Sequence, residues 1–332
     1  MEKQNYNNKE REDRNNLQHL LKKLHSPERN DRLEAAQALH LQPHTQAVDS
    51  LINALKDEDC LVRQAAADAL SELEDPRTVI PFIQALNDTN PNVRQRSALA
   101  LSKLNDPRSV PPLLQALQDL DNGVFRVVIY ALGKLQDSRA TTPLIYILKY
   151  FNADIRERAA WALGQLQDPS AVVPLINALK DQNSSVKHAA SEALIKIGQP
   201  SVKPLIERLK RERTQNKKLF AKVLVGIGSP AISSLLENLK SENKYTCKII
   251  TDALSEMASY NYNSVILPLI TFLTNNGPSF DDDIMEPLLS LLVGLSPSSK
   301  ELAPLKSLMT SLIFTGSEKV RQLAKDLVKT IA

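Results

Sequence analysis

The dipeptide Ala-Leu returns every 31 residues through the first two-thirds of the chain, at Ala38-Leu39, Ala69-Leu70, Ala100-Leu101, Ala131-Leu132, Ala162-Leu163 and Ala193-Leu194. A unit this short cannot bury its own apolar face, so successive units must stack and share one continuous core. Other landmarks keep the same step. Asp-Pro or Asp-Ser opens units at Asp75, Asp106, Asp137 and Asp168, and Pro81, Pro112, Pro143 and Pro174 follow shortly after. Proline in the first turn of a helix costs no hydrogen bond, because the amide it removes has no partner there. Each unit therefore reads as an apolar first helix, a polar turn, and a second helix with Arg or Lys near its start and alanines along one side, which is a helical hairpin.

Composition agrees. Nine glycines and 5% aromatic residues disfavour a sheet, whereas Ala, Leu and Gln are good helix formers. A chain of 332 residues often folds as two domains, but a solenoid grows by adding layers and needs no second core. The expected fold is all-α, a right-handed α-solenoid of about ten hairpins. Residues 1–16 carry four acidic and four basic side chains and almost nothing apolar, so a mobile tail is expected there. Regular repeats are expected over 17–200. Beyond Pro200 the step slips to 30 and then becomes irregular, so 201–332 reads as a divergent part of the same stack. No apolar run is long enough for a membrane span, and the opening residues lack the apolar core of a signal peptide. Two cysteines fit a reducing compartment. The expected location is the cytoplasm.

Two strings carry a family resemblance. One runs from Asp168-Pro169 through Val172 and Pro174-Leu175-Ile176 to Ala178-Leu179, and the other from Val62-Arg63 through Ala66 to Ala69-Leu70. They resemble the HEAT repeat, in particular the short HEAT-like repeat of phycobilin lyases and related phycobilisome proteins, over roughly residues 28–258. The resemblance implies the solenoid and leaves function open, since such repeats serve enzymes, scaffolds and regulators alike.

Catalytic chemistry has little support. Cys60 and Cys247 lie far apart and match neither a zinc knuckle nor a dithiol motif; both are expected to be buried small side chains. No His-Glu dipeptide occurs, and Pro43 breaks the helix that would align His40 with His44. Gly226-Ile227-Gly228-Ser229-Pro230-Ala231 fits a dinucleotide glycine pattern, but without a preceding strand it reads as helix capping. Asp281, Asp282 and Asp283 read as acidic charge at a helix N-terminus. The expectation is no catalytic residue, no metal and no cofactor.

Binding features are more legible. Arg32, Arg63, Arg94, Arg156 and Lys187 share one repeat position, with Asp57, Asp88 and Asp181 six residues ahead of three of them; the resemblance implies a hydrogen-bonded ladder between turns. At Phe125 the ladder breaks, although Arg126 follows. On the second helix of the fifth unit, Ile155, Ala159, Ala162, Leu163 and Leu166 define a buried face, placing Trp161 about 180° away at about 100° per residue. Steps of 31 from Gln37 pass through Asp68, Leu99, Tyr130, Trp161 and Glu192, an apolar stripe about 20 Å long for helices roughly 10 Å apart. The resemblance puts second helices on a concave face. Leu99, Tyr130 and Trp161 are thus expected to anchor a partner protein there, with Phe125, Arg126, Glu157, Arg158 and Gln165 orienting it. The plainer alternative is that Tyr130 or Trp161 leans on a neighbouring repeat.

A second candidate is the basic stretch of Lys203, Arg208, Lys210, Arg211, Arg213, Lys217, Lys218 and Lys222, opposed only by Glu207 and Glu212. Lys210, Arg211, Lys217 and Lys218 are candidate anion-binding residues, but charge runs are usually solvated and Phe220 alone is available for base stacking. Nucleic-acid binding therefore ranks below protein binding. The expected function is a non-enzymatic protein-binding scaffold, with a phycobilisome-related role implied by the resemblance. The enzyme alternative is a phycobilin lyase subunit cradling a bilin tetrapyrrole.

Overall fold

The computed structural model describes residues 2–150, 152–212, 216–239, 244–277 and 280–331, with side chains from residue 13 onward except at 216, 244, 245 and 331. Among these residues there is no strand, and ten helical pairs follow one another, five in each of two compact units, Met1–Leu166 and Gln167–Ala332. Among the described residues no helix is long and apolar enough to cross a membrane.

In the first unit α1 (Glu2–Lys23) pairs with α2 (Arg29–Leu41), α3 (Val48–Ala54) with α4 (Cys60–Leu73), α5 (Val79–Ala85) with α6 (Pro91–Leu104), α7 (Val110–Gln115) with α8 (Asn122–Leu135), and α9 (Thr141–Ile147) with α10 (Ala153–Leu166). The even-numbered helices pack side by side in chain order, each with its first helix against it. The Ala-Leu landmarks form the seam: Leu39, Ala69, Leu70, Ala100, Leu101, Ala131, Leu132, Ala162 and Leu163 are all 0–1% exposed. Small alanines let neighbouring backbones approach, and leucines fill the layer between helices.

The recurrent Asp residues start the elements. Asp59, Asn90 and Asp121 accept the first free amides of α4, α6 and α8, while Asp75, Asp106 and Asp137 do the same for 3-10 turns that lead into α5, α7 and α9. Those caps satisfy donors that have no partner inside the helix. Second helices end at Glu74, Asn105 and Gln136, each left-handed with φ of 46–51°, which reverses the chain within one residue.

Within the polar segment expected as a mobile tail over 1–16, residues 2–16 lie in α1, which continues to Lys23. Its buried described side chains Leu17 and Leu20, with Leu24 just past its end, are spaced to lay one helical face on α2. The side chains of residues 1–12 lie outside those described.

The second unit pairs α11 (Val172–Ala178) with α12 (Ser184–Ile197), α13 (Gln199–Arg211) with α14 (Asn216–Ile227), α15 (Ser229–Asn238) with α16 (Lys244–Tyr260), and α17 (Tyr262–Asn276) with α18 (Asp282–Leu295); α19 (Ser299–Leu302) and α20 (Lys306–Thr315) precede α21 (Glu318–Ile331). The pattern changes at Gly198 and Gly228, which have φ of 73° and 75° and bring α13 and α15 in directly after α12 and α14. Their ψ of −129° and −139° excludes side chains. Gly228 is therefore a helix-capping glycine, as its sequence context indicates. Asp282 and Asp283 fill the first turn of α18, and Asp282 accepts the Ser317 amide at 2.7 Å.

Candidate protein-binding face

The repeating arginine positions build the frame of the first unit. Arg63 donates Nε and Nη2 to the two carboxylate oxygens of Asp88 at 2.7 and 2.8 Å, and Nη1 to the carbonyls of Asp57 and Glu58 at 2.8 and 3.1 Å. Arg32 with Asp57 and Arg94 with Asp119 repeat this arrangement one hairpin away on either side. Each carboxylate also accepts an amide from the turn, from Asp59, Asn90 and Asp121. Such charge-assisted forks fix both separation and rotation. Burial alone would raise the Asp88 carboxyl, but Arg63 and the Asn90 amide outweigh it and hold it below its ordinary value. Arg94 does the same for Asp119 against its burial.

At the next joint the ladder changes chemistry. Phe125 occupies the arginine position and Tyr150 the aspartate position, and their rings stack at 5.5 Å with 22° between planes. Phe125 is 6% exposed, so it is corrected from a side chain orienting a partner to a rung of the frame. Its register, 31 residues after Arg94, was the signal for this. Arg156 resumes the pattern, giving Nη1 to the Tyr150 carbonyl at 2.8 Å.

Helices α8 and α10 carry the aromatic platform. Tyr130 and Trp161 stack at 5.2 Å with 9° between their planes, an offset parallel geometry that aromatic quadrupoles favour. A Cβ on Gly133 would lie 2.8 Å from Trp161 Cζ3, so glycine there is what allows the indole to lie flat across α8. Both rings are half-buried and Leu99 is 41% exposed. Trp161 therefore does not project freely away from the core. It leans on the neighbouring hairpin and leaves part of its surface open, so what helical phase predicts as a row of separate side chains is a fused two-ring surface beside Leu99.

Charged groups surround it. Arg126 gives Nε to the Asn122 carbonyl at 3.2 Å and approaches Asp154 at 3.5 Å, and Arg158 reaches the same carboxylate at 3.3 Å. Lys134 sits 5.7 Å above the Tyr130 ring, within cation–π range. Glu157 and Gln165 are half-buried on α10. Toward α4 the charges neutralise each other, Arg96 with Asp68 and Lys103 with Glu72. Sequence reasoning missed the exposed residues on the turn side of the same hairpins: Leu120 is fully exposed, and Tyr146 and Tyr150 are 65% and 48% exposed. Tyr146 follows Asn53, Gln84 and Gln115 at the repeat step, so its departure from a polar series was legible.

The basic stretch in the second unit does not keep all four candidate anion-binding residues at the surface. Lys217 is 5% exposed and donates to Thr246 Oγ1 at 2.8 Å, a correction to its expected surface role. It follows Lys187 at the slipped step of 30 and so takes the buried position that cations occupy in the frame. Lys210 and Arg211 lie 3.7 and 3.9 Å from Glu207, and Lys180 pairs with Glu212. Lys218 is exposed; Arg213 lies outside the described residues. Cys247 is buried, whereas Cys60, at the first turn of α4, is half-exposed rather than buried as expected. Among the described residues no group of three or more His, Cys, Asp or Glu side chains is placed to hold a metal ion.

Among solved structures, an engineered protein is 18% identical over 95% of this chain and 98% of its own, with a TM-score of 0.47. The complex of CpcE and CpcF of phycocyanin lyase from Nostoc is 23% identical over 73% of this chain and 94% of its own, at 0.43. A designed armadillo repeat protein in complex with the peptide (KR)4 is 18% identical over 55% and 99%, at 0.44. No curated protein matches. The model of HEAT repeats matches residues 17–83, 79–150 and 141–216. With that match across more than half its length, the chain belongs to the HEAT-repeat family.

Proposed function

We propose that this protein is a non-enzymatic scaffold or regulator that holds a partner protein on the exposed side of α6, α8 and α10. The observation that carries the reading is the parallel Tyr130–Trp161 stack, partly open to solvent and flanked by Leu99, Arg126, Lys134, Glu157, Arg158 and Gln165. Aromatic surfaces rimmed by polar groups concentrate binding energy. We place the protein in the cytosol, on its two unbonded cysteines, and in a phycobilisome-related or cyanobacterial regulatory setting, on the resemblance of the string at 168–179.

The test is affinity capture of partners from the native organism with wild-type and Trp161→Ala protein, followed by titration of the captured partner. Tyr130→Ala and Trp161→Ala are each expected to weaken binding by roughly 2 kcal/mol or more. Unchanged affinity in both variants would remove the face from consideration. A second reading, a bilin carrier or lyase subunit, draws on the same parallel rings, which offer a planar surface for a conjugated ligand. Incubation with bilin separates the two: a shifted absorbance spectrum that reverts in Trp161→Ala supports the bilin reading, and an unchanged spectrum supports the scaffold.

A further inference from the structure

Two sets of arginines in the first unit contrast sharply. Arg32, Arg63 and Arg94 are only 10–17% exposed in their side chains and use Nε, Nη1 and Nη2 in hydrogen bonds within the frame. Arg126 and Arg158, beside the aromatic platform, are 45% and 42% exposed and share the single carboxylate of Asp154 at 3.3–3.5 Å. Each guanidinium carries five N–H donors, and only a minority of these meet an acceptor among the described residues. At the other end of the platform Lys134 has the Tyr130 ring beneath it and, among the described residues, no carboxylate in ion-pair range. Arg96 and Lys103, one helix away, are neutralised by Asp68 and Glu72. Cationic donors without a full set of acceptors thus stand at both ends of the apolar surface.

We infer that the occupant of this face is an acidic segment of a partner protein, with an apolar side chain on the Tyr130–Trp161 rings and a carboxylate at each end. This rests on the reading of the platform as a binding face. Arg126 and Lys134 are eight residues apart on α8, which is about 12 Å at 1.5 Å per residue. An extended chain covers that distance in about four residues at 3.3 Å each. The fitting pattern is therefore acid, any residue, apolar, any residue, acid. A nucleic acid fits less well, because Asp154 and Glu157 stand on the same face and oppose a continuous phosphate backbone.

Trp161 is the chain's one tryptophan, so its emission reports the site directly. The probe is a labelled peptide with phenylalanine between glutamates at two-residue intervals, compared with counterparts carrying glutamine or lysine in place of glutamate. The glutamate peptide is expected to bind, to change Trp161 emission, and to lose affinity about tenfold between low and high salt, as exposed charge attraction is screened. Lys134→Glu combined with Arg158→Glu should reverse the preference toward the lysine peptide, while Arg158→Lys should retain it; unchanged circular dichroism shows that the variants fold. Equal binding of all three peptides through Trp161 would overturn the acidic assignment and leave the platform standing. Failure of every peptide to alter Trp161 emission would overturn both. Tighter binding of a single-stranded oligonucleotide, lost in the charge-reversed variant, would overturn it in favour of nucleic acid.

Discussion

Two kinds of joint hold the hairpins of the first unit together. Three consecutive joints are closed by bidentate Arg–Asp rungs, and the next by the Phe125–Tyr150 stack together with the Tyr130–Trp161 stack between α8 and α10. The slot between turns evidently demands a filled, satisfied contact rather than a particular chemistry. The forks meet that demand with directional bonds that depend on the charge of an aspartate. Stacked rings meet it with dispersion and burial, which depend on neither proton nor salt and tolerate sliding in the ring plane. The aromatic joint is also the one whose exposed side carries the candidate binding face.

Replacing core and rung residues gives the largest expected effects. Leu163→Ala empties a position that is 0% exposed and should cost about 2–5 kcal/mol in urea denaturation. Arg63→Ala strands Asp88, whose side chain is 10% exposed. The expected loss is about 2–3 kcal/mol, below the value for a fully buried pair because one edge still meets water. A loss under half that would mean the frame does not depend on its charges.

Acid separates the joints next. Asp88 and Asp119 titrate below their ordinary value of 3.8 in the folded protein, so the unfolded chain binds protons first as pH falls. Their contribution is complete above the ordinary carboxylate range and is lost as pH drops through the lowered values. Hydrogen exchange monitored from pH 5 down to pH 3 should therefore show α4 and α6 opening before the contact of α8 with α10. Simultaneous opening would erase the distinction.

Trp161→Ala should cost about 1–2 kcal/mol of stability, since it removes a stacked pair as well as part-buried area. That exceeds the near-zero change expected of a free surface side chain and stays below Leu163→Ala. The smallest effect at neutral pH belongs to Phe125→Arg combined with Tyr150→Asp, which exchanges the aromatic rung for a charged one. Its net change should lie within about 1 kcal/mol, while its unfolding midpoint should become newly sensitive to acid. A double variant that remains indifferent to pH would show that a fork cannot form there.

The repeat step made the hairpins, their capping aspartates and the frame arginines legible, because each is a local requirement imposed at the same position of every unit. Departures from the series were legible for the same reason: Phe125, Tyr130, Tyr146, Tyr150 and Trp161 all stand where neighbouring repeats carry other residue types. Helical phase alone placed Trp161 opposite the core, and it had no means of knowing that Gly133 on the adjacent helix leaves room for the indole to lie down. It likewise left Lys217 in a run of surface charges, although a slipped step had moved it into a buried frame position against Thr246. Periodicity within one chain fixes which side of a helix a residue occupies. How far that side chain stands clear of the surface depends on space left by a neighbour about one repeat away, and only the packed structure decides that.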